Sequence, residues 1–147
     1  MVPSAGDRPS EPTRLALSGE AAALHLTLHG WDPDAILEVE GSSGGFRGAD
    51  TLHVARADFL GFCRALVGLH ATLRGEATLR SAWPDALEVR IRPAGSLGQV
   101  QVTVRLRSEV TSGHFEFPHE VAFGFVIDPT SLERAARAAE AICKGAT

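Results

Sequence analysis

The chain has 147 residues, 44% apolar and 22% charged, with a net charge of −4 at neutral pH. That is long enough for one domain that buries roughly 68–70% of its unfolded surface. No run approaches the ~18–20 apolar residues of a membrane span, and the first residues lack the hydrophobic core of a signal peptide, so the expected location is the cytoplasm.

Residues 1–12 are rich in Pro, Ser and charge and read as a disordered tail, leaving residues 13–147 as a single domain. Residues 14–18 form a short first strand that turns at Gly19 into residues 22–29. There Leu24, Leu26 and Leu28 take one side and His25, Thr27 and His29 the other. Residues 30–33 break that strand, and residues 35–40 follow with Leu37 and Val39 inward. A GSSGG turn leads into Phe46–Val54, where Gly48 signals a bulge or a close backbone approach.

The period then changes from two to 3.6. Phe59, Phe62, Cys63, Leu66, Leu69 and Leu73 line one stripe of a helix over residues 56–73. Gly61 and Gly68 weaken that helix by roughly 1 kcal/mol each relative to Ala, and their smallness suggests a helix lying close on a sheet. Gly75 ends it. A meander follows: residues 76–81, then residues 86–92, then a strand in which Val100, Val102, Val104 and Leu106 alternate with Gln101, Thr103, Arg105 and Arg107. Residues 108–113 read as a loop, and residues 114–127 as an extended segment divided at Pro118. The Thr130-Ser131-Leu132-Glu133 run matches a capping box, opening a last helix with Leu132, Ala136, Ala139, Ile142 and Cys143 on its apolar stripe. The sum is an α+β fold: an antiparallel sheet of about six to seven strands with two helices on its apolar face, one after the third strand and one at the C-terminus.

Chemistry-bearing patterns are sparse. His25 and His29 would meet on a helix, but on a strand they stand about 13 Å apart, too far for one metal ion. No G-x-S-x-G elbow is present, and the glycine cluster at residues 41–45 does not lead from a strand into a helix N-terminus, which makes it a poor phosphate cradle. Cys63 and Cys143 lie on the apolar sides of the two helices, as buried thiols or, if the helices are neighbours, as a disulfide. No catalytic residue, metal or cofactor is therefore assigned. A small enzyme with a site around Gly48 and His53 is the weakest of three readings.

Thirteen of the fourteen basic residues are arginine, a bias that points to genome composition, and a domain of net negative charge is not a dedicated nucleic-acid binder. The outward face of the meander nevertheless carries Arg80, Arg90, Arg92, Arg105 and Arg107 on three strands. It is either a solvated face or a patch for an acidic partner or phosphates. Glu38 and Glu40 point the same way from an earlier strand. These seven residues are the candidate partner-binding positions, for an adaptor or self-associating module if nothing more specific applies.

The order of elements resembles the WapI-type immunity proteins that bacteria encode beside polymorphic, contact-dependent toxins. The resemblance rests on Gly45-Phe46-Arg47-Gly48, on Phe62, Leu66 and Leu69 in the first helix, and on Gly75-Glu76-Ala77 after it. Trp83, Gly98, Phe123, Phe125 and Asp128-Pro129-Thr130-Ser131-Leu132 complete it. Pro129 departs from the polar residue usual there, though it suits a helix start. The resemblance implies a non-catalytic antitoxin whose partner is a cognate protein toxin; the mildly acidic balance suits a basic nuclease as that toxin, and charge and hydropathy point to neither nucleic acid nor membrane as a partner. It supplies no toxin-contacting residues.

Overall fold

The computed structural model describes residues 13–83 and 85–146, so the tail expected over residues 1–12 lies outside the described residues. Eight strands and two helices follow in the order β1 (Thr13–Gly19), β2 (Ala22–Trp31), β3 (Ala35–Ser43), β4 (Phe46–Val54), α1 (Arg56–Thr72), β5 (Ala77–Arg80), β6 (Leu87–Pro93), β7 (Val100–Ser112), β8 (Phe115–Ile127) and α2 (Pro129–Gly145). All strands join one antiparallel sheet in the order β4-β3-β2-β1-β8-β7-β6-β5. The α+β class stands, with eight strands where six to seven were expected, and α1 follows the fourth strand, not the third. The segment at residues 14–18 and Phe46–Val54 are both full strands, which accounts for the difference.

The inner side of the sheet is apolar at nearly every alternate position. Leu15, Leu17, Leu24, Leu26, Leu37 and Val39 supply one half; Leu79, Val89, Ile91, Val102, Val104 and Ile127 supply the other. Both helices lie on that side and close the core with Phe59, Phe62, Leu66, Leu69, Leu132, Ala136 and Ala139. They run antiparallel: Arg56 at the start of α1 donates to the Ala146 carbonyl past the end of α2 (2.6 Å). Cys63 is buried and Cys143 half-buried where the helices meet, and both are free thiols. Trp31 covers Phe59 with ring centroids 5.9 Å apart and carries the Arg56 guanidinium 4.4 Å above its own ring.

The two halves of the sheet are joined by a single register pair, Gly19 with Ile127. Each half then curls towards the other. A methyl group on Gly48 of β4 would stand 2.6 Å from Val121 of β8, so Gly48 marks a close approach of one half to the other. The β3–β4 register runs through Gly48 without a bulge. The Ala82 amide donates to the His53 carbonyl (2.9 Å), tying the far edge of the sheet back to β4.

Three further expectations are corrected. The segment at residues 108–113 is not a loop: β7 runs on to Ser112, turns over Gly113 and His114, and returns as β8. Pro118 does not divide β8, because it pairs across from Glu109 while the other side of β8 has no partner until Ile127, so no ladder hydrogen bond is lost. Gly61 and Gly68 face open space on the exposed side of α1, away from the sheet.

Candidate functional site

Three surfaces can meet a partner. The first is the outer side of the meander. Arg80 on β5, Arg90 and Arg92 on β6, and Arg105 and Arg107 on β7 do share one face, as the alternation predicts. Glu38 and Glu40 on β3 are separated from them by β2, β1 and β8. Four of the five arginines already have a glutamate. Arg90 reaches Glu76 (2.6 Å), Arg105 reaches Glu120 (2.6 Å), Arg80 reaches Glu88 (3.4 Å) and Arg107 reaches Glu109 (3.3 Å). Arg92 donates to the Gln101 side chain (3.3 Å). The hydrogen bond from Arg90 holds the Glu76 carboxyl below its usual range, and each of Arg90 and Arg105 is held more firmly charged by its glutamate. On β3, Glu38 bonds His29 (3.0 Å), and Arg47 donates to Glu40 and depresses its carboxyl. The face is a lattice of matched charges.

The second surface is a cleft of about 770 Å³ between β4, the β5–β6 connection and β7. Asp34, Asp50, Asp85, His53, Arg107 and Trp83 stand on its walls. Of Gly48 and His53, the two residues behind the small-enzyme reading, His53 lines this cleft and Gly48 does not. Among the described residues no hydrogen bond joins the His53 ring to a hydroxyl, thiol or carboxylate. The Ser81 hydroxyl in its wall is engaged with the backbone, donating to Trp83 O and accepting from the Leu87 amide. Among the described residues no group of three or more His, Cys, Asp and Glu side chains could hold a metal ion.

The third surface went unseen in the sequence. Beyond residue 108, β7 and β8 leave the body of the protein as a two-stranded ribbon, with residues 109–120 exposed on both sides. Its inner side continues the core-facing register of Val104, Leu106, Phe123 and Phe125 through Val110, Phe117 and Phe115. Those three are 40%, 50% and 69% exposed, and Trp83 beside the cleft is 80% exposed. β4 crosses the root of the ribbon, where Gly48 and Asp50 stand with Ser108, His119 and Val121 around a smaller hollow. Past that crossing nothing among the described residues covers the apolar side. The signal for this ribbon was present as continued alternation from Arg107 through Ser112, but with only Val110 apolar it carried little weight.

No helix among the described residues is long and apolar enough to cross a membrane. The family model of the immunity protein WapI-like family matches residues 15–145, nearly the whole chain and every element of the fold. No curated protein and no solved structure gives a significant match. The chain belongs to the WapI-like immunity protein family.

Proposed function

We propose that this protein is a non-catalytic cytoplasmic immunity protein that binds a cognate bacterial toxin domain and occludes its working surface. The observation that carries the reading is the family match over residues 15–145. One feature supports it. The net charge of −4 suits a basic target, and a nuclease that grips phosphates is such a target.

Co-expression with the toxin domain encoded beside its gene tests the reading. Growth is expected to be restored and the two chains are expected to elute as one complex. Continued killing with no complex would reject it.

A further inference from the structure

We infer that the uncovered inner side of the β7–β8 ribbon is the docking surface, and that it takes a basic protein surface presenting an apolar anchor. The inference rests on the immunity reading above and deepens it by naming the surface and the chemistry of the partner.

The apolar part comes first. Val110 and Phe117 are direct cross-strand partners, and Phe115 lies two residue pairs further out, at the next position on the same side, so all three form one continuous patch on one side of the ribbon. The ribbon reaches about 14 Å past the body, taking the four residue pairs beyond Ser108 at roughly 3.4 Å each. A two-stranded hairpin is marginally stable in water by itself, and aromatic side chains spread along one side of it gain little until something covers them. Tyr, Trp and Phe are the side chains that dominate binding energy when a partner seals them from water.

The charge pattern then selects the occupant. On the outer face Glu76, Glu88, Glu109 and Glu120 are each matched to an arginine. The aspartates of the cleft at the ribbon's root are not: Asp34, Asp50 and Asp85 make no ion pair within 4 Å among the described residues, although Asp85 lies near enough to Arg105 to favour its charge. Asp50 is the strongest case, because it occupies an inner-side position of β4, in register with the buried Leu52 and Val54. A second copy of this chain would bring the same aspartates against themselves across a two-fold axis. A partner rich in Lys or Arg around an apolar side chain would neutralise them while filling the ribbon.

The experiment measures affinity for the catalytically inactivated toxin domain encoded beside the gene, with wild type and three variants. Phe115→Ser with Phe117→Ser is expected to weaken binding about 30-fold or more, the scale of losing a sealed aromatic anchor. Asp50→Lys with Asp85→Lys is expected to weaken it and to flatten its dependence on salt. Arg90→Ala with Arg105→Ala, on the outer face, is expected to bind as wild type. The mutated side chains are exposed or line the open cleft, so thermal melting within a few degrees of wild type will certify the fold of each variant. If wild type neither binds nor protects cells, the immunity reading fails. If wild type binds and the ribbon variant binds equally well, the immunity reading stands and the assignment of the surface is overturned. Wild type that dimerises through the ribbon in the absence of toxin would also overturn it.

Discussion

Gly48 stands where β4 passes over β8, and the nearest side-chain atom a methyl group would meet is Val121 Cγ1. Val121 is β-branched and stiff at χ1, so it cannot swing aside as a longer chain would. Gly48→Ala is expected to destabilise the fold by about 1–3 kcal/mol, and Val121→Ala in the same chain to recover part of the loss. Chemical denaturation of the two singles and the double checks this, since losses that simply add would place the crossing elsewhere. Cys63 is a second test at this scale. Burial pushes its thiol from 9.0 up to about 12, with the neighbouring Cys143 adding to the shift. The unfolded thiol loses its proton near 9.0 and the folded one only near 12. Stability is therefore complete below pH 9 and falls as pH rises through that window. The chain has no tyrosine and a single lysine, so few other groups titrate there. Denaturation midpoints between pH 8 and 10.5 should fall for wild type and stay flatter for Cys63→Ala.

The helices repay sequence reading unequally. The stripe of α1 was legible as far as Leu69, since Phe59, Phe62, Cys63, Leu66 and Leu69 are all buried as their spacing requires, but Leu73 lies past the helix end in a left-handed conformation and is 42% exposed. Its glycines were misread, although their spacing from that stripe already sets Gly61 and Gly68 on the opposite side of the helix. With Gly61 and Gly68 in open space, Gly68→Ala is expected to raise stability by about 0.5–1 kcal/mol in thermal melting. At α2 the capping-box pattern pointed two residues too far along. Asp128 is the cap, its carboxylate accepting from the Ser131 amide (2.8 Å), and Pro129 takes the first helical position. Glu133 instead accepts from Arg137 one turn on (2.6 Å). Asp128→Ala should therefore lower stability by about 1 kcal/mol and Glu133→Ala by far less, an ordering that the capping-box alternative reverses. Ser131 has a further task, because its hydroxyl accepts from the Ser18 amide and holds α2 to β1 (3.1 Å).

At the scale of the whole molecule, alternation revealed which side chains share a face but not which strands are neighbours. Arg80, Arg90, Arg92, Arg105 and Arg107 were correctly gathered because β5, β6 and β7 are consecutive hairpins. The distance of Glu38 and Glu40 from them depends on β8 joining β1, a contact made by one residue pair more than a hundred positions apart in sequence. The cleft depends on the same closure, since its walls come from β4 and from segments that follow α1. The ribbon was hidden for another reason: past Arg107 the β7 strand carries Val110 as its one apolar residue, so that half read as a loop while the β8 half read as extended.

The central claim is that the partner covers the inner side of the ribbon. Hydrogen–deuterium exchange of the protein, free and with the inactivated toxin domain, tests it most directly. Amides of residues 109–119 should exchange quickly in the free protein and slow sharply in the complex, with residues 81–86 following and β5 and β6 unchanged. Slowing confined to β5 and β6, with residues 109–119 still exchanging as in the free protein, would contradict it.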